Sequence, residues 1–296
     1  LICVASDVHL IDYYTSAFRP IQLVGRSPKT LESYACALAV WNQWPGRVPL
    51  HHIDRRVLAR FAEWALAGRK ASTVNQYVKR FMAILRFAEE EDDIGRVPKY
   101  RKLAESKNVP LALTADEFLA VIKVCGDQTG EVGGIPAALW WRSLLSVDWE
   151  SGLRIMALLS VTTDDVLLDQ NGFYCQAENQ KDKEAGWFPL SPETMAMVRE
   201  IHDPCHPLLW RFSRCASWLQ KAFRRILDAS GIYAPRGACM AFHRIRRSTA
   251  SYMRLSGLDA TARLGHSHPR LTDAYIDPRV YRPEKCQAIT PAPRPR

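Results

Sequence analysis

One stretch of this chain, Val166 to Leu190, reads clearly as β structure, and long segments with apolar residues at helical spacing lie on both sides of it. That contrast confines the chain to a mainly helical architecture with a small hairpin sheet. Within the stretch, Asn171-Gly172 is a strong hairpin turn, flanked by Val166-Leu167-Leu168 and Phe173-Tyr174-Cys175. A second turn falls between Asn179 and Glu184, ahead of Trp187-Phe188-Pro189-Leu190. A sheet this small cannot bury a face alone, so it must lie against helices of its own domain.

The helical signals fall into two groups. Leu10 to Tyr14 reads as a short first helix. Ser27-Pro28 opens the next, with Ser at the cap and Pro just inside, and Leu31, Tyr34, Leu38, Val40 and Trp41 follow on its apolar side. Asp54 caps a helix carrying Val57, Leu58, Phe61 and Trp64. Another, from about Ser72, carries Val74, Tyr77, Val78, Phe81, Ile84, Leu85 and Phe87. Residues 1–95 therefore read as an all-helical domain. Gly95, Pro98 and Pro110 break helix, and Arg96, Lys99, Arg101, Lys102 and Lys107 are basic, so residues 96–113 read as a basic linker. Thr114-Ala115-Asp116-Glu117 is a capping box and opens a second domain over residues 114–278. Residues 279–296, ending Pro291-Ala292-Pro293-Arg294-Pro295-Arg296, read as a disordered basic tail.

Composition narrows the partners. With 296 residues and 47% apolar content there is material for two cored domains, and no apolar run is long enough to span a bilayer. The net charge of +9 suits a polyanion, because each phosphate neutralised by Lys or Arg releases counterions. The eight cysteines are scattered and fit reduced thiols in a cytoplasm better than a disulfide framework. Cys205, His206, Cys215, Cys239 and His243 match no common zinc spacing, so no metal is expected. The chain begins with Leu1 rather than Met, which leaves open whether it is a fragment.

The densest chemistry lies near the C-terminal end. His243 and Arg246 are three apart and share a helix face. That helix stops at Gly257; Leu264-Gly265-His266 marks another turn, and Tyr275 follows after Pro269, a residue suited to the first turn of a helix. His-x-x-Arg, Leu-Gly-His and Tyr in this order resemble the catalytic half of the tyrosine recombinase (phage integrase) family. The resemblance asks for an arginine after a glycine turn upstream, and Glu150-Ser151-Gly152-Leu153-Arg154 supplies it. It also asks for a lysine on the hairpin, where Lys181 stands first and Lys183 second. One departure stands out: the family usually carries Glu three residues after the first arginine, and this chain has Ala157.

The resemblance implies a fold, a partner and roles. The N-terminal bundle would be the family's core-binding (SAM-like) domain and the second an α+β catalytic domain. The partner would be duplex DNA, held by a homotetramer on paired sites, with no membrane and no cofactor. Tyr275 would attack a backbone phosphate. Arg154, Arg246 and His266 would hold its oxygens, His243 would take or hold the phenolic proton, and Lys181 would protonate the leaving 5′ oxygen. Two neighbouring readings stay open: a type IB topoisomerase-like relaxase with the same chemistry, and an inactive DNA-binding remnant of a mobile element. A helical protein-interaction module would leave this polar series unexplained.

Overall fold

The computed structural model describes residues 7–106, 109–180, 184–232 and 241–282. The chain forms two compact units that divide between residues 107 and 108. The first has helices as its only regular elements among its described residues, with a single bridge between His9 and Pro49. Helices α1 (Leu10–Tyr13) and α2 (Arg19–Gln22) are joined by a π-helical turn, and α3 (Pro28–Gln43), α4 (Arg55–Leu66) and α5 (Ala71–Glu90) follow. Two N-termini close as their sequences require: Ser27 Oγ accepts from Thr30 N at 3.3 Å, and Asp54 Oδ1 from Val57 N at 2.7 Å. The helices meet on Trp41, Phe61 and Phe81, each almost wholly buried, with ring centroids 5.0 to 5.3 Å apart. Burying one such side chain contributes about 1.5–3 kcal/mol before packing terms.

The basic stretch after α5 is folded back onto this bundle. Val97, Tyr100 and Leu103 pack against its core. The side chain of Asn75, in the first turns of α5, takes both backbone groups of Leu103: Oδ1 accepts from its N–H at 2.9 Å and Nδ2 donates to its carbonyl at 3.0 Å. An amide can imitate a strand partner in this way, so a segment without secondary structure of its own is still fixed.

The second unit is built around α7 (Ala137–Ser151), which packs against α6 (Ala115–Gly126), α9 (Pro192–Ile201) and α11 (Phe242–Leu255). Between α6 and α7 lies a two-residue hairpin, β1 (Glu131–Val132) and β2 (Ile135–Pro136), turning at Gly133-Gly134. Sequence reading passed over it, because strands of two residues carry no alternation. After α7 come α8 (Ile155–Leu159) and an antiparallel sheet in the order β3 (Val166–Leu167), β4 (Gly172–Cys175), β5 (Gly186–Pro189). Phe173 pairs with Phe188, and Tyr174 with Trp187. Asn171 adopts φ 51° at the turn, and a side chain on Gly172 would meet Trp187 at 2.5 Å. The Asn-Gly pair thus serves both the turn and the ring packed over it.

Helices α10 (Ala216–Ala229), α12 (Ala260–Arg263) and α13 (Pro269–Asp273) complete the unit. Its core is aromatic: Trp140 Nε1 donates to Trp210 O at 2.7 Å, Trp210 Nε1 donates to Ser143 Oγ at 3.1 Å, and Phe223 stacks on Phe242 at 4.4 Å. Helix α11 is polar yet largely buried, because its hydroxyls satisfy backbone groups of other segments. Ser248 Oγ both donates to Leu113 O and accepts from Leu113 N, each at 2.8 Å, and Thr249 Oγ1 donates to Trp149 O at 2.8 Å. Arg279, read from sequence as the start of the tail, is hydrogen-bonded into this unit.

Gly152 ends α7 in the left-handed region, φ 64°. A Cβ there would meet Thr249 Cγ2 at 2.9 Å and Leu264 Cδ2 at 3.0 Å. Gly152→Ala is expected to cost at least about 1–2 kcal/mol from backbone conformation alone, read as a lower urea midpoint for the second unit.

Candidate active site

Three segments of the second unit converge on one basic pocket: the turn from α7 into α8, the first turns of α11, and the chain from α12 through α13 to Tyr275. Arg246, on α11, is its fixed centre at 3% exposure. One guanidinium nitrogen donates to the Gly152 carbonyl, and Nη2 donates to the Leu264 carbonyl at 2.6 Å. Both carbonyls belong to glycine turns, one contributed by Gly152 itself and the other lying just before Gly265. Burial, and after it the neighbouring charge of Arg154, together lower the Arg246 pKa to about 10; the group remains a cation at neutral pH.

Around this cation the other groups assemble. His243 Nε2 lies 3.0 Å from the Tyr275 hydroxyl, and the phenol bears electrostatically on Arg246. Burial depresses His243 from the ordinary imidazole value of 6.5 to about 4, with Arg247, Arg246, Arg154 and His266 adding to the effect. A neutral ring at that distance accepts the phenolic proton in a hydrogen bond when its own proton sits on Nδ1. His266 Nε2 faces Arg246 Nη2 at 3.4 Å, and its Nδ1 lies 2.9 Å from Thr272 Oγ1. Thr272 Oγ1 in turn donates to Thr261 Oγ1 at 3.0 Å, so the proton of a neutral His266 sits on Nδ1 and its Nε2 lone pair points to the guanidinium. The His266 and Tyr275 rings lie 4.9 Å apart.

Arg154 caps α8 and is part of this field, since its charge bears on both His243 and Arg246. Arg154, His243, Arg246, His266 and Tyr275 are thus gathered by the fold. Lys181 and Lys183 lie outside the described residues. The chain on either side of them, at Gln180 and Glu184, lines a cleft of about 270 Å³ shared with Arg263 and Gly265. Arg263 covers Phe188 at 4.5 Å and donates to the carbonyls of Trp187 and Glu150 at 3.3 and 3.2 Å, holding the sheet's last strand against α12.

Sequence reading missed several supports. Ala157 is buried and leaves no carboxylate where the family usually has Glu. An acidic group stands elsewhere: Asp148, in the last turn of α7, is 1% exposed, and neither carboxylate oxygen has a hydrogen-bond partner among the described residues. Burial pushes its pKa well above the ordinary carboxylate value, and the charge of Arg246 opposes that rise. The only trace of it in sequence is one acid within the apolar run Leu144, Leu145, Val147. Thr261 and Thr272 left no trace. Asp165 shapes the turn into β3 by accepting from Thr162 N at 2.9 Å and Thr162 Oγ1 at 2.7 Å.

The sequence model of the phage integrase family matches residues 112–281, more than half of the chain. The chain belongs to the phage integrase family. Its fold is the family's as well. A lambda integrase dimer bound to a COC′ core site aligns with a TM-score of 0.72 at 20% identity, covering 94% of this chain and 98% of that one. A lambda integrase tetramer bound to a Holliday junction gives 0.73 at 19% identity, over 95% of this chain and 81% of that one. The Tn1549 transposon integrase in complex with a circular intermediate DNA gives 0.74 at 14% identity, over 91% and 95%. No curated protein matches significantly. The helical bundle followed by a mixed α/β catalytic domain, expected from the family's motifs, is what these integrases display.

Two titrations follow from the family pocket as it stands here. The folded chain holds His243 neutral, so protons bind the unfolded chain first. Stability conferred above pH 6.5 is therefore lost as pH falls towards 4, and His243→Gln should flatten that part of a plot of melting temperature against pH. Asp148 has the opposite sign: its raised pKa means that ionisation costs stability as pH rises above 3.8. Asp148→Asn should gain on wild type in melting temperature between mildly acidic and neutral pH.

Proposed function

We propose that this chain is a site-specific tyrosine recombinase that cleaves and rejoins duplex DNA through a 3′-phosphotyrosine intermediate. A phosphodiester resists attack because its charge repels nucleophiles and its alkoxide leaves poorly. The reaction therefore needs an aligned nucleophile, fixed positive donors and an acid. The observation that carries the reading is the meeting of Tyr275 with His243, Arg246 and His266 in one pocket assembled from separate segments.

In the proposed reaction the Tyr275 oxygen forms a bond to phosphorus while the bond from phosphorus to the 5′ oxygen breaks. His243 Nε2 takes or holds the phenolic proton. Arg246 and Arg154 meet the two non-bridging oxygens with forked donors, and the pinned guanidinium of Arg246 needs no reorganisation to do so. His266 donates to the same phosphate through Nε2, which requires a proton there; the anion's own charge favours that protonated ring. Lys181, with Lys183 second, gives the proton to the departing 5′ oxygen. Return of a 5′ hydroxyl from another strand onto the phosphotyrosine rejoins DNA and exchanges strands. The energy of the broken bond is kept in the intermediate, so no nucleotide cofactor enters.

The partner proposed is duplex DNA, engaged by a homotetramer on paired sites in the cytoplasm. Support comes from the net charge of +9 and from fold relatives bound to a core site and to a Holliday junction. A relaxase would share the chemistry and differ in working without synapsis. A duplex nicked close to the scissile phosphate, so that the short product diffuses away, tests the chemistry directly. Wild type should accumulate a covalent adduct at Tyr275 without magnesium; Tyr275→Phe should bind DNA and form none; Arg246→Ala should slow adduct formation by about a hundredfold or more. An adduct that persists in Tyr275→Phe would overturn the proposal.

A further inference from the structure

The nucleophile is strung between two buried anchors. Upstream, Thr272 is fully buried and joined to His266 and Thr261. Downstream, Asp277 is also fully buried, although it is an acid two residues past Tyr275. Its carboxylate accepts from Ala112 N at 2.8 Å and from Arg279 Nε and Nη2 at 3.1 and 2.9 Å; its second oxygen accepts from Arg279 N at 2.8 Å. Its own N–H donates to Ser251 Oγ at 2.9 Å, on the helix that carries His243 and Arg246. Arg279 then spans to the start of the unit, donating to Ala112 O at 2.7 Å and to Glu117 Oε1 at 2.8 Å. Arg244 approaches the same two residues from α11, with Nη2 at 3.1 Å from Ala112 O and 3.5 Å from Glu117.

We propose that Asp277 and Arg279 are positioning residues for Tyr275: together they clasp the chain just past the nucleophile to residues 112–117 and hold the phenol at its own pocket. Two residues of chain reach at most about 7 Å, so an anchor at Asp277 limits where the phenol can go. The clasp joins a buried acid to a partly exposed arginine through forked, charge-assisted bonds, the class of contact that holds geometry rather than merely adding solubility. The acid is fully buried beside its cationic partner, and its pKa is held below the ordinary carboxylate value by hydrogen bonds from Arg279 and Ala112, against the opposing effect of burial. Release of the clasp leaves Tyr275 held from the Thr272 side, free to visit a neighbouring protomer's pocket.

The inference rests on the proposed recombinase chemistry for its consequence, and hydrogen exchange tests the clasp without DNA. In Arg279→Ala, amides from Tyr275 to Tyr281 should exchange several-fold faster than in wild type, with Arg279→Lys between the two. On the nicked duplex, Arg279→Ala should slow adduct formation by about tenfold to a hundredfold at unchanged DNA affinity. A purely structural contact would not alter which protomer supplies the tyrosine. Mixing Tyr275→Phe with Arg246→Ala should give no adduct beyond that of each alone. Mixing Tyr275→Phe with an Arg246→Ala/Arg279→Ala chain should give one, by donation across protomers. Unchanged exchange in Arg279→Ala, unchanged adduct formation, or a second mixture as inert as the first overturns the clasp. A wild-type chain with clasp-dependent exchange and no adduct overturns the recombinase reading instead.

Discussion

A guanidinium taken almost wholly out of water is costly unless its donors are met, and the second unit is arranged around meeting those on the two Nη nitrogens of Arg246. The carbonyls that do so come from Gly152 and Leu264, more than a hundred residues apart in sequence. Each is offered by a backbone turn, so neither brings a side chain that could swing away. The left-handed end of α7, the close packing of Thr249 on it and the short helix before Gly265 all serve that one orientation. The face left over is turned to Tyr275 and His266, and its charge, with that of Arg247 and Arg154, adds to the burial that keeps His243 neutral.

This explains how much of the site was readable from residues. His243, Arg246, His266 and Tyr275 lie within one supersecondary unit, so order and spacing alone bring them close. Arg154 was readable through the family resemblance, which asks for an arginine just after a glycine turn. Groups whose partners are remote were invisible. Asp277 looks like a surface acid until Ala112, at the far end of the domain, is seen to donate to it. Asp148 looks like a flaw in an apolar helix until Arg246 is found beside it. Thr261 and Thr272 fix the tautomer of His266 through two hydroxyls that no periodicity distinguishes.

The fold was readable on the same terms. Caps at Ser27, Asp54 and Thr114 stand where the residues put them, because a cap is settled within one turn. Ser191, the cap of α9, has an added hold: Glu150 on α7 accepts from its N–H at 2.8 Å and its hydroxyl at 2.7 Å, a contact that helix-start rules do not contain. The stretch after α5 read as linker because Gly95 and Pro98 forbid helix; what they do not forbid is docking, which Asn75 provides.

That amide has a mechanical side. While Asn75 grips Leu103, the chain from Val97 to Glu105 is spooled onto the bundle. Letting go would pay out nine residues, roughly 30 Å of extended polypeptide. That release would have to break three apolar contacts as well as the amide, whose Nδ2 also donates to the Glu105 carboxylate at 2.6 Å, so the stored length is guarded by grease and by charge together.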